Sequence, residues 1–128
     1  MENMFSLKGK VAIVTGANTG LGQGICVAYA KMGAKVLGVA RRSCDETAKI
    51  IKEFNGEFFE YIADLSDVAC VGGVMQAAYD KYGTVDILVN NAGVIKRADA
   101  LDVSVDDWDS VINVNQKTVF FLSQAFAK

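Results

Sequence analysis

The sequence contains no histidine. That absence removes the commonest general base near neutral pH, the Ser/His/Asp constellation and most transition-metal sites, so any chemistry must use other groups and no metal is expected. Cysteine is scarce. Cys26, Cys44 and Cys70 are odd in number, widely spaced and outside any CxxC pattern, as free packing thiols in a reducing compartment would be. No apolar run approaches the about 20 residues needed to cross a bilayer, and residues 1–8 are too short in apolar content for a secretory signal. The expectation is a cytoplasmic protein with no membrane partner. Long basic clusters are missing too: 13 Lys and Arg stand against 15 Asp and Glu, for a formal net charge of −2. Arg41-Arg42 is the longest basic cluster, so no nucleic-acid footprint is present, while small anionic ligands stay open.

What the sequence does have is an apolar content of 52% with 22% charged residues over 128 positions, enough for one globular domain with a sizeable core. Short runs rich in β-branched residues (11–15, 35–39, 58–62 and 85–89) alternate with stretches of helical period, and such runs read as strands buried on both faces. Between the first two, Leu21, Ile25, Ala28, Tyr29 and Met32 recur at three- and four-residue spacing, and Gly33 follows as a stop. Residues 44–54 and 68–82 supply two further helices, closed by Gly56 and Gly83. The repeating βα order predicts an α/β fold: a doubly wound, Rossmann-type parallel sheet with right-handed crossovers and strand order 3-2-1-4.

After the fourth run, Ser104 is expected to cap a helix whose first turn carries Asp106 and Asp107. A second helical stretch is expected over 115–128, with Val119, Leu122 and Phe126 on one stripe that either covers its own sheet or faces a partner subunit. A doubly wound dinucleotide fold has six strands, and four are visible, so residues 1–128 are expected to be the nucleotide-binding portion of a single-domain protein whose later catalytic segment is absent.

Chemistry concentrates at strand ends. Thr15-Gly16-Ala17-Asn18-Thr19-Gly20-Leu21-Gly22 lies between the first strand and the first helix, where glycines let backbone N–H groups approach a pyrophosphate and the helix N-terminus favours negative charge. Three further motifs follow in order: Asp64-Leu65 after the third strand, Asn90-Asn91-Ala92-Gly93 after the fourth, and Asn115 within Asn113-Val114-Asn115. The TGxxxGxG spacing with these three motifs resembles the short-chain dehydrogenase/reductase family over essentially the whole chain. Residues 91–101 and Asp107-Trp108-Asp109 resemble the branch of that family acting on deoxygluconates.

The resemblance implies an NAD(P)-dependent oxidoreductase of a small keto or hydroxy sugar acid, a homo-oligomer when complete. It places Gly16, Asn18, Gly20 and Leu21 at the cofactor diphosphate, with Gly22 keeping backbone close to ligand or sheet. Asp64 and Leu65 would face the adenine, and Asn91, Ala92 and Gly93 the adenosine ribose and neighbouring backbone. A carboxylate such as Asp64 can accept the adenine amino hydrogens, though it can equally serve the helix that follows. Asn90 is expected to brace strands through its side chain. Asn115 resembles the asparagine of the family's Asn-Ser-Tyr-Lys tetrad, a geometric role because an amide has no useful pKa. The tetrad's YxxxK does not occur: Gly33, Leu65, Gly83 and Asp86 stand four residues beyond the four tyrosines. Tyr79 to Gly83 reads instead as a solvated helix end, and the 128 residues alone are expected to be inactive.

Cofactor choice is divided. An acid at the end of the second strand would bind the ribose 2′-hydroxyl of NAD, but that position is Ala40, followed by Arg41 and Arg42. A guanidinium pairs bidentately with phosphate, so local chemistry favours NADP through Arg41, while the deoxygluconate branch is associated with NAD. A non-catalytic nucleotide-binding or interaction module is the alternative at this length. A methyltransferase, which also carries a glycine-rich first turn, is disfavoured by the Asn90 to Gly93 motif.

Overall fold

A computed structural model describes residues 6–92 and 100–128. Four parallel strands, β1 (Val11–Thr15), β2 (Lys35–Ala40), β3 (Glu57–Ile62) and β4 (Ile87–Val89), form one sheet in the order β3-β2-β1-β4. The chain winds outward from β1 through β2 to β3 and then returns to the other side of β1. The crevice beside the end of β1 is therefore the topological switch point of the sheet.

Burial on both faces is realised at β1 and β2, where period-two alternation sends Ile13, Leu37 and Val39 to one side and Val14, Val36 and Ala40 to the other. Helices α1 (Gly20–Lys31) and α2 (Asp45–Glu53) cover the Val14 face, contributing Cys26, Ala30 and Ile51. Helices α3 (Cys70–Tyr82) and α5 (Val119–Ala127) cover the Ile13 face, contributing Val74, Ala78 and Leu122. The outer strands differ from the expectation, because β3 and β4 are edges and no residue of either is fully buried. β4 is also shorter than the run 85–89: Asp86 leaves the strand to accept the Val11 N–H on Oδ2 (2.9 Å), while its own N–H donates to the Val11 carbonyl (2.8 Å).

Helix ends follow local chemistry. Gly83 closes α3 in the left-handed region, as expected. The left-handed residue after α2 is Asn55 (φ 61°) rather than Gly56, since asparagine tolerates that conformation. Ser104 caps α4 (Val105–Ile112) by accepting the Asp107 N–H on its hydroxyl at 3.0 Å. The two helices expected after β4 are one continuous helical rod, in which a π-helical segment, Asn113–Thr118, joins α4 to α5 without a break.

Two side-chain expectations are resolved by packing. Leu122 is buried and Phe126 packs on the Ile13 face, so the α5 stripe covers its own sheet, while Phe120 on the other side of the helix is 60% exposed. The 79–83 stretch is only partly a solvated helix end: Tyr79 is exposed, but Tyr82 packs against the core with its hydroxyl buried. All three cysteines are free, with Cys26 and Cys44 buried and Cys70 half-buried.

Candidate functional site: a cleft at the C-terminal edge of the sheet

The turn after β1 is held so that its backbone faces outward. The N–H groups of Gly16 and Ala17 both donate to the Val39 carbonyl, at 2.8 and 3.3 Å, which ties the turn to β2. Gly16 has φ +68°, and a Cβ there would meet Asn91 Nδ2 at 2.9 Å and Ala92 Cα at 3.1 Å, so only glycine fits. The Thr15 hydroxyl joins the turn to the end of β4. It accepts the N–H groups of Asn91 and Ala92, each at 3.0 Å, and donates to the Val89 carbonyl at 3.4 Å.

Helix α1 begins behind this turn without the usual protections of a helix start. Thr19 makes no side-chain cap and the first turn contains no acid. By contrast α4 has both its serine cap and two aspartates. Unpaired N–H groups at the positive end of a 12-residue helix, next to a glycine-rich turn, suit an anion.

Around this point lies a cleft of about 390 Å³. It is lined by Gly16, Asn18 and Thr19 after β1, Ala40, Arg41 and Arg42 at the end of β2, Asp64 and Leu65 after β3, and Asn91 and Ala92 after β4. Asp64 is exposed and its carboxyl is held below the usual aspartate range, first by the Ser66 hydroxyl (2.7 Å), then by the Ser66 N–H (3.0 Å), with Arg41 adding a smaller pull. The same carboxylate that lines the cleft thus also shapes the turn leading into α3.

Of the residues singled out from sequence, Gly16, Asn18, Arg41, Asp64, Leu65, Asn91 and Ala92 come together in this cleft. Gly20 and Leu21 stand outside its lining, with Leu21 73% exposed at the start of α1. Gly22 is buried behind the turn, where it lets α1 approach Gly16. Gly93 lies outside the described residues. Asn115 is exposed in the π segment, one residue beyond Val114, and is not among the cleft-lining residues. Among the described residues Asn90 is tied to a helix rather than to a strand: its Nδ2 donates to the Ser123 hydroxyl on α5 at 3.2 Å, while Thr15 joins β1 to the end of β4. The side chain of Asn91 turns inward and donates to the Gly16 carbonyl at 3.4 Å.

Thr19, Ala63 and Val114 also line the cleft and were not anticipated. Thr19 and Ala63 adjoin anticipated residues. Val114 carried no distinguishing signal, since a valine between two asparagines on a helix reads as core, and it is in fact buried in the core as well.

The profile of the short chain dehydrogenase family matches residues 10–128. The chain belongs to that family. Among short chain dehydrogenases, it is 44% identical over 126 residues to the 2-dehydro-3-deoxy-D-gluconate 5-dehydrogenase of Dickeya dadantii, covering 98% of this chain and 50% of the relative. It is 45% identical over 124 residues to the enzyme of the same name from Escherichia coli, covering 97% and 49%. A solved structure of a candidate 2-deoxy-D-gluconate 3-dehydrogenase from Agrobacterium tumefaciens with bound NADP superposes with a TM-score of 0.87 at 48% identity, covering 98% of this chain and 49% of that one. This short chain dehydrogenase sequence thus spans about half the length of the relatives it matches.

Proposed function

We propose that the chain is the dinucleotide-binding portion of an NAD(P)-dependent oxidoreductase acting on a keto or hydroxy sugar acid of the deoxygluconate class. The observation that carries this is the convergence, in one cleft at the switch point of a parallel sheet, of an uncapped helix start, two arginines, a carboxylate and a glycine-rich turn. The residues fit a dinucleotide: the cleft offers the uncapped start of α1 and two arginines to anionic groups and the Asp64 carboxylate beside Leu65 to a base, while glycine at 16 lets the turn pack against Asn91 and Ala92. The nicotinamide supplies the hydride-transfer chemistry when bound.

The chain's own residues then divide the work. Backbone N–H groups at the start of α1, with Gly16, Asn18, Gly20 and Leu21, receive the diphosphate. Asp64 and Leu65 hold the adenine, Asn91, Ala92 and Gly93 bound the ribose, and Asn115 orders water for proton movement. No tyrosine in the 128 residues has a lysine four positions on, so residues 1–128 by themselves are proposed to bind nucleotide without turning over substrate. Domain assignment follows: 1–128 as one Rossmann portion. Assembly of the complete protein as a homo-oligomer is proposed on the family resemblance.

For the cofactor, Ala40 in place of an acid, with Arg41 and Arg42 lining the same end, supports a preference for NADP. The test is calorimetric titration of full-length protein with NADP and NAD before and after Arg41→Ala. Expected is tighter wild-type binding of NADP and a loss of about tenfold for NADP alone in the variant, as befits one charge-assisted contact. Wild-type preference for NAD refutes the cofactor assignment, and binding of neither refutes the site.

A further inference from the structure

Among the described residues, the polar residues buried as a whole are all threonines: Thr15, Thr47 and Thr118. Thr15 ties β1 to the β4 loop, as above. The other two sit in helical segments, where a threonine hydroxyl ordinarily bonds a carbonyl one turn back. Neither does. Thr47 in α2 donates to the Ala17 carbonyl at 2.8 Å, 30 residues away, and Thr118 in the π segment donates to the Leu65 carbonyl at 2.6 Å, 53 residues away. Ala17 belongs to the glycine-rich turn and Leu65 to the part of the cleft lining that follows β3.

We propose that Thr47 and Thr118 are positioning residues for the nucleotide, each holding one wall of the cleft at a fixed place through a buried hydroxyl. This rests on the nucleotide reading given above.

The two walls are held for different parts of the ligand. The Ala17 peptide is gripped on both sides, its N–H by the Val39 carbonyl and its oxygen by Thr47. Helix α2 starts just after Arg41, Arg42 and Ser43, and Glu60 of β3 fixes that start by accepting the Cys44 N–H at 3.1 Å. Thr47 therefore sets the separation between the diphosphate turn and the two arginines. Thr118 sets a different one. By holding Leu65 it fixes the adenine wall against the π segment, which carries Val114 into the same cleft. In both cases the bond is fully buried, so removing the donor strands a carbonyl away from water.

The experiment compares Thr47→Val, Thr47→Ser, Thr118→Val and Thr118→Ser in full-length protein, titrated with adenosine 2′,5′-bisphosphate and with ADP, alongside thermal unfolding. Thr47→Val is expected to weaken the bisphosphate about tenfold and ADP only about twofold, shrinking the discrimination between them. Thr118→Val is expected to weaken both about equally, by roughly tenfold, because adenine is common to the two. The serine variants keep the hydroxyl and are expected to keep wild-type discrimination. A purely structural role would lower the unfolding temperature without changing the ratio at Thr47 or either affinity at Thr118, and that result overturns the assignment at the position concerned. If valine at 47 prevents folding, Thr47→Ser carries the test, and altered discrimination there overturns it. Valine variants that bind like wild type refute the threonine roles and leave the site standing, whereas wild-type protein that binds neither ligand refutes the site itself.

Discussion

Two glycines two residues apart in α1 should respond to alanine in opposite directions. Gly24 is exposed and a Cβ there meets nothing within 4 Å, so Gly24→Ala should give the ordinary helix-interior gain of about 0.8–1 kcal/mol. Gly22 is buried, and a Cβ would overlap the Gly16 carbonyl oxygen while standing 2.6 Å from Asn91 Nδ2 and 2.7 Å from the Gly16 carbonyl carbon. The obstacle is backbone, and it is not free to retreat: the Gly16 N–H is bonded to Val39 at 2.8 Å, and its carbonyl accepts from Asn91. Overpacking of this kind costs about 3 kcal/mol at the upper end of its usual range, against a propensity gain of about 1, so Gly22→Ala should lose about 2 kcal/mol. The two variants should then differ by about 3 kcal/mol in urea-unfolding midpoints converted with a common m-value. Because the displaced group lines the cleft, nucleotide affinity should fall in Gly22→Ala and hold in Gly24→Ala. Equal stability of the two variants would refute the close approach of α1 to the turn.

Burial pushes the thiols of Cys26 and Cys44 up to about 12 and about 11, with the Cys44 charge adding at Cys26 and those of Glu60 and Asp45 at Cys44. A thiol reagent at pH 8 should therefore label Cys70 first and reach the other two only on unfolding; simultaneous labelling of all three in native buffer would contradict the packing. Since these folded pKa values exceed the unfolded value of about 8.5, the linked stability is fully present below that pH and is lost as pH rises through 11 to 12, which alkaline melts can check. The Tyr82 hydroxyl is buried with no hydrogen-bond partner among the described residues, and burial first, then Glu57, pushes its pKa up to about 12. Tyr82→Phe should therefore be neutral or stabilising by up to about 1 kcal/mol, and a loss larger than that would reveal a partner for the hydroxyl.

The βα alternation was readable because apolar β-branched runs alternate with helical stretches closed by glycine or its neighbour, and strand order followed from the doubly wound fold this alternation implies. Where the reading missed, the cause was tertiary. Nothing in the run 85–89 signals that Asp86 spends its side chain on the Val11 N–H and so shortens β4. A second helical stretch was expected to begin at Asn115. A π segment instead widens the helix locally and lets Val114 and Thr118 reach the core, so the rod continues through it.

The same distinction governs the site. Residues proposed to meet the ligand, such as Arg41 and Asp64, and the glycines that shape the turn announce themselves locally, because charge and backbone freedom are properties of single positions. Residues whose job is to hold those groups do not, because their partners are set by the fold. Thr47 sits between Glu46 and Ala48 on a helix and resembles any surface threonine until α2 docks and its hydroxyl meets Ala17. Asn91 shows the intermediate case, where the motif marks a residue that lines the cleft but the side chain serves the Gly16 carbonyl, leaving mainly backbone and the small Ala92 to border the cleft. Ligand-facing chemistry in this fold is thus written in motifs, while the spacing between motifs is held by buried hydroxyls. A substitution that spares every motif residue can therefore still move the walls of the cleft.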